Sequence, residues 1–286
     1  MNQNVNVPYR FPWQYFIIAF GFSWIIWLPG ILAARGLFEL PLPELVLAGI
    51  GAFGPFVSAF YLTRRNQGKA GVKTLIKRAL NFRIPLKWLA VILLVHLLVT
   101  AAARHLCIWR GGVLPDSPVL GSPVAILVLF LVLFFFGGSV NEEFGWRGYA
   151  LDRIQSKHNA LLSSLMLGIL WGVWHLPLFF FQNLSQSYMS FWIFLGWTCA
   201  LAVLMTWLHN NNGGNILVAL LFHTMGNLSI SIFPFFNAEK GADQTPLLFA
   251  MLLYAAVALL VAIVNGPKKL SKKPDAEMPY NKLDLS

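Results

Sequence analysis

The sequence predicts an all-α, polytopic membrane bundle of about eight spanning helices with both termini on the cytoplasmic side. Three observations predict it. Of 286 residues, 57% are hydrophobic and only 11% charged, against roughly 25% charged in a soluble domain. The apolar residues fall into eight blocks, 15–34, 45–62, 88–108, 123–146, 161–181, 189–208, 216–236 and 246–265, each close to the ~20 residues that cross a ~30 Å hydrocarbon layer. The net charge of +10 is concentrated at the flanks of these blocks, as the excess of Lys and Arg on the cytoplasmic side requires, and this distribution argues against a nucleic-acid partner.

In chain order, residues 1–14 form an N-terminal cytoplasmic segment. It lacks a signal peptide's order of basic, apolar and small residues, so the first block is expected to stay as a helix. After the second block, the loop 63–87 carries Arg64, Arg65, Lys69, Lys73, Lys77, Arg78, Arg83 and Lys87 with no acidic residue. Val72, Leu75, Ile76, Ala79 and Leu80 recur there at helical spacing, which fits a short surface helix whose cations meet anionic lipid. The opposite side receives sparse or mixed charge: Arg35 with Glu39 and Glu44, Arg110 with Asp116, and Glu239, Lys240 and Asp243. Cys107 and Cys199 read as small packing residues. The tail 266–286, with Lys268, Lys269, Lys272 and Lys273, reads as disordered and cytoplasmic. No internal repeat marks a transporter built from inverted halves. The whole is a single transmembrane domain, 15–265, with a motif-bearing core at 123–236, in the cell membrane.

Ionisable groups inside spanning helices are costly unless paired or used, and they mark function. The fourth block runs into FFFGGSVNEEFGWRGYALDR. On a continuous helix Glu143 and Arg147 share one face and form an acid–base pair at i, i+4, whereas Glu142, about 100° round the helix, has no partner on its own helix. The fifth block carries His175 in LGILWGVWHLPLFFF, and the seventh carries His223 and Asn227 four residues apart. His96, His105, His158 and His209 rank lower. Polar groups from three apolar helices converge in a bundle interior, because lipid-facing positions leave them unsatisfied.

Two chemistries suit such a set. Glu142 deprotonates a water with His175 orienting it, while His223 and Asn227 stabilise an oxyanion; or Glu142, His175 and His223 hold a Zn²⁺ that generates the nucleophile. No HExxH pair occurs on one helix, so the spacing adds no independent support for metal. At 1.5 Å per residue His175 is about 21 Å along its helix and His223 about 10 Å from the same side. Both are nevertheless expected to face one cavity, opening toward the cytoplasm.

Glu142-Glu143-Phe144-Gly145-Trp146-Arg147 resembles the EExxxR motif of the CPBP family, intramembrane proteases related to the type II CAAX prenyl endopeptidase and to bacteriocin-immunity proteins. Trp171 to His175 is similar to its second motif, with Trp171 where Phe is common, and His223 to Asn227 to its HxxxN motif. The three occur in the family's order across about residues 123–236. The resemblance implies Glu142 as the water-activating carboxylate assisted by His175, His223 and Asn227 as the oxyanion pair, and Glu143 and Arg147 in support. It leaves the cofactor as none or Zn²⁺. The expected function is an intramembrane endopeptidase acting on a membrane-associated protein or peptide. The alternatives are a non-catalytic immunity or scaffold protein on the same fold, and a carrier in which Glu142 relays protons.

Overall fold

The computed structural model describes residues 11–239 and 241–282; most of the expected N-terminal segment, Lys240 and the last four residues of the tail lie outside them. Every element in the described part is helical. In chain order the helices are α1 (Trp13–Ala34), α2 (Glu44–Gly51), α3 (Gly54–Ala79), α4 (Leu86–Trp109), α5 (Pro123–Phe136), α6 (Ser139–Gly145), α7 (Leu151–Gln155), α8 (Ala160–Trp174), α9 (Phe191–Asn211), α10 (Ile216–Ile232), α11 (Thr245–Asn265) and α12 (Pro279–Lys282). The wide π turn Trp146–Ala150 joins α6 to α7.

The chain is a multi-pass integral membrane protein. Six helical stretches are long and apolar enough to cross a membrane, with Glu44–Ala79 and Ala160–Phe180 each counted as one. A seventh is added if the bent pair Pro123–Phe136 and Ser139–Gln155 is one span. Of the eight expected spans, six to seven are thus supported: the block at 216–236 forms a helix of only 17 residues, and the fourth block is not straight. Its break has a local cause. Gly137 and Gly138 follow the phenylalanine run, Gly138 takes φ +103°, and the chain bends by 40°, a conformation that costs glycine nothing.

The helix expected within 63–87 is present, but as an extension of the span before it. Gly68 adopts φ 67°, ψ −159° and breaks α3, so 69–79 turns off as a separate segment. Its apolar side does not lie only in lipid: Leu75 and Ala79 are buried against Phe144, Ile216, Leu217 and Leu220. Arg64, Arg65, Lys69, Lys73, Lys77, Arg83 and Lys87 are exposed. Arg78 instead turns inward, donating to the Gly214 and Gly148 carbonyls and to Asp152 Oδ2 at 2.9 Å. Asp152 also holds His209 Nε2 at 2.8 Å.

These ties define one end of the bundle. Asn215 reaches the Asn81 carbonyl, and the Ala160 amide donates to the Lys268 carbonyl. The expectation of a disordered tail fails over its described part. Leu270 and Met278 are fully buried, while Asn210 and Asn211 donate to the Lys269 and Leu270 carbonyls. A polar, lysine-rich segment orders here because helix-end asparagines capture its backbone, and composition alone does not register that. At the opposite end, Gln182 Nε2 donates to the Ala34 carbonyl, the Glu44 carboxylate accepts from the Gln182 and Asn183 amides, and the Ser190 amide donates to Gln244. The core between the ends is rich in aromatic rings: Trp27, Trp146, Trp174, Tyr15 and Tyr254 are all at 1% exposure or less.

Candidate active site

The site is built on α6, the end of α8 and the middle of α10. Ser139 at the start of α6 hydrogen-bonds Thr224 on α10 at 2.8 Å, and Asn227 Nδ2 donates to the Gly137 carbonyl at 2.6 Å. The broken fourth block is thus pinned to α10 on both sides of its bend. α8 stops at Trp174 because Pro177 lacks an amide hydrogen, which leaves His175 at the helix end. There Trp174 Nε1 donates to Ser23 Oγ and its carbonyl accepts from Trp24 Nε1, fixing this corner to α1.

Glu143 is fully buried and fixes the placement of two other residues. Arg147 Nη1 donates to both of its oxygens, at 2.9 and 3.1 Å, and His223 Nδ1 hydrogen-bonds Oε1 at 2.8 Å. A paired carboxylate only accepts, so Nδ1 of His223 carries the proton and Nε2 is presented elsewhere. The predicted Glu143–Arg147 pair is present, with both side chains at 0% exposure, and the guanidinium lies 4.9 Å from the Trp171 ring.

Glu142, 4% exposed, has no cation within ion-pair distance. The expectation that it lacks a partner on its own helix is corrected by Trp146, whose indole N–H donates to Oε2 at 3.2 Å; Trp171 Nε1 donates to the same oxygen at 2.5 Å. Neutral donors hold one carboxylate oxygen without cancelling its charge, and Oε1 stays free. Sequence reasoning overlooked both indoles as anchors, although Trp146 at i+4 from Glu142 was the available signal. Trp171 makes a bond that phenylalanine at that position cannot.

Oε1 of Glu142 and Nε2 of His223 converge on the open face of Gly138. A methyl carbon there would lie 2.7 Å from the first and 3.0 Å from the second, so the two atoms are less than about 6 Å apart, within reach of one bridging water. His175 Nδ1 donates to the Trp171 carbonyl at 2.8 Å, which leaves its Nε2 as an acceptor. The His175 and His223 rings both stand against Trp171, at 6.0 and 5.6 Å between centroids.

Glu142, His175, His223 and Asn227 all line one cavity of about 360 Å³, so the sequence-predicted set does come together; Glu143 and Arg147 lie behind it. The cavity runs away from the end of the bundle that carries the basic segment. Its lining runs from Leu45 and Ala48 of α2, through Asn183 and Gln186 in the segment before α9, down α9 from Phe194 to Met205. It therefore approaches the Glu44–Gln182 end of the bundle and not the Arg78–Asp152 end. On the other side of Glu142 three rings pack together, Tyr15 standing edge-on to Trp146 at 5.6 Å and stacked on Tyr149 at 5.3 Å. His96, ranked low in the sequence, also lines the cavity and hydrogen-bonds Tyr254 at 2.7 Å, whereas His105 is exposed and bonds only the Ala101 carbonyl of its own helix.

Among the described residues no group of three or more His, Cys, Asp or Glu side chains is arranged to hold a metal ion. The Zn²⁺ ligands expected from the sequence, Glu142, His175 and His223, are not brought together as such a group. The residues do not fit a three-ligand site in this arrangement, and no step below is routed through a metal.

An all-helical membrane bundle enclosing a buried glutamate, two histidines and an asparagine is consistent with a membrane-embedded hydrolytic site, and comparison with known proteins gives the family. Residues 123–229 match the family model described as type II CAAX prenyl endopeptidase Rce1-like. The chain is 30% identical over 264 residues to the CAAX prenyl protease 2 of Methanococcus maripaludis, covering 87% of this chain and 93% of that protein. The chain belongs to this CAAX protease family of integral membrane proteins.

Truncating Arg147 to alanine leaves Glu143 charged and buried, a change that costs about 3–5 kcal/mol. The Arg147→Ala variant is expected to unfold markedly earlier in detergent, followed by tryptophan fluorescence; unaltered unfolding would mean that Glu143 is held by His223 alone.

Proposed function

We propose that the chain is an intramembrane endopeptidase that hydrolyses a peptide bond of a membrane-associated protein or peptide through a water activated by Glu142. The observation that carries this reading is the convergence of Glu142 Oε1 and His223 Nε2 on Gly138 at the wall of a largely apolar cavity. The carboxylate is fixed by two neutral indole donors on one oxygen, which leaves the other to meet a water, and exclusion of bulk water strengthens every fixed dipole around it.

In the proposed sequence, Glu142 takes a proton from the bound water, and His175 Nε2 accepts the water's second hydrogen and orients it. The hydroxide oxygen attacks the scissile carbonyl carbon. The developing oxyanion is met by His223, protonated at Nε2 in the reacting state with Glu143 balancing the imidazolium, and by the second N–H of Asn227. Glu142 then returns its proton to the leaving amine as the C–N bond breaks. Such donors are worth about 10²–10³-fold each in rate. The name of the Methanococcus maripaludis relative extends the proposal to substrates cut near a chain end.

The count of eight membrane passes, with the short α10 completing them, and cytoplasmic placement of both termini belong to the same proposal. Its support is the row of exposed cations at 64–87 against the mixed charge of the other end. Those cations are proposed to meet anionic lipid headgroups. Replacing Lys69, Lys73 and Lys77 by glutamine is expected to lower the anionic lipid that copurifies, measured by mass spectrometry; unchanged lipid content would remove that partner.

Two substitutions test the chemistry. Cells with Glu142→Gln at normal abundance are expected to lose the new protein termini seen with the intact chain, and identical termini would favour the immunity or scaffold reading. Gly138→Ala places a methyl group against both reacting side chains and strains a positive φ. It is expected to lower cleavage about 100-fold or more, with the bundle still folded by circular dichroism; full activity would show that Glu142 and His223 do not meet the reacting atoms at Gly138.

A further inference from the structure

The segment that follows α11 takes no part in the chemistry above, yet four successive backbone carbonyls in it are all used by other helices. Those of Pro267 and Lys268 accept from the Leu161 and Ala160 amides, two of the N-terminal donors of α8 that no carbonyl within that helix reaches. Those of Lys269 and Leu270 accept from the side chains of Asn210 and Asn211 at the end of α9, and Ser271 donates to Asn211 Oδ1 at 2.9 Å. Asn210 also exchanges hydrogen bonds of 3.0 and 2.7 Å with Gln155 of α7, so the junction includes the helix that follows the carboxylates.

Two buried side chains seat the segment. Leu270 is fully buried and takes φ 48°, the one positive φ outside glycine among the described residues; a bulky residue holds that conformation only where its surroundings impose it. Met278 is equally buried, and Pro279 lies against Gly214, where a methyl carbon would stand 3.1 Å from the proline Cβ. Gly213 and Gly214, with φ 64° and 77°, belong to the turn between α9 and α10, a joint with little stiffness of its own.

We propose that residues 267–279 are a positioning strap for the site: they fix the spacing of α7, α8 and the α9–α10 turn, and through them the helices that carry Glu142, His175 and His223. This rests on the endopeptidase reading for what the site does, but the coupling of the helix ends stands without it. α8 carries His175 at its far end, α10 carries His223 about two turns beyond Ile216, and α6 with Glu142 runs into α7 through the π turn. A displacement of about 1 Å at reacting groups costs about 100-fold in rate, so ties at the helix ends govern turnover from a distance. No residue of 267–279 lines the cavity, which leaves substrate binding to other side chains.

Amide hydrogen exchange in detergent tests the coupling without any need for activity. Met278→Asp puts a charge in the buried seat, Met278→Leu keeps the seat apolar, and Asn211→Ala cuts the ties to Leu270 and Ser271 without burying a charge. In Met278→Asp and Asn211→Ala the amides of 209–223 are expected to exchange about tenfold faster or more, α10 included, while α1 is unchanged and Met278→Leu behaves as the parent. With a cleavable peptide, kcat is expected to fall about tenfold or more at unchanged KM. Faster exchange confined to 209–215 would overturn the proposal by reducing the segment to a local cover, and a raised KM at constant kcat would overturn it by placing the segment at the substrate. Should Met278→Asp fail to fold, Asn211→Ala decides by the same criteria. A loosened α10 in a chain that cleaves nothing would retain the strap and discard the protease.

Discussion

Everything at the site depends on one buried carboxylate finding enough hydrogen-bond donors in a solvent that supplies none. Glu143 takes Arg147 from its own helix and His223 from α10, and in doing so it fixes the register of α6 against α10 and the tautomer of the histidine. A charge of this kind is unstable in hydrocarbon unless it is fully partnered, so the arrangement has little freedom: move α6 by a turn and an ion is left alone. Glu142, one residue earlier, is treated oppositely. It receives two indole N–H groups and no cation, which holds it in place while leaving its charge uncancelled.

The backbone carries the same division. The glycine pair at 137–138 lets the fourth block bend into the bundle, and the π turn at Trp146–Ala150 widens the helix just after the carboxylates. π turns of this sort are found mostly where a helix is bent to a task. Between these two irregularities lies the short α6, whose residues from Ser139 to Gly145 are nearly all buried, unlike α5, which buries none.

Much of this was legible in the sequence, for reasons that differ by level. Long apolar blocks and clustered lysines give membrane helices directly, because the bilayer sets both length and composition. The Glu143–Arg147 pair follows from helical spacing, and the shared cavity of Glu142, His175 and His223 from the cost of polar groups in lipid. What spacing does not carry is direction. The cavity's run toward the Glu44–Gln182 end depends on how far α8 continues before Pro177 and on the bend at Gly138, neither of which shifts the hydrophobic pattern. The docked tail escaped for a related reason: its order comes from Asn210 and Asn211 on another helix, and nothing in its own composition records them. The indole anchors Trp146 and Trp171 were read as members of an apolar surface, since tryptophan's single N–H is invisible to any count of charged or polar residues.

The absence of buried side chains in α5 has a consequence for how this architecture diversifies. One wall of the cavity, made by α6, α8 and α10, is locked by ions and hydrogen bonds and tolerates little change. The wall contributed at Phe136 belongs to a helix with no fully buried side chain, so its outward-facing residues are exchanged at small cost in stability. The ionised, hydrogen-bonded wall and the wall at Phe136 are thus separate panels joined at a two-glycine hinge, and the second can vary while the first is left as it is.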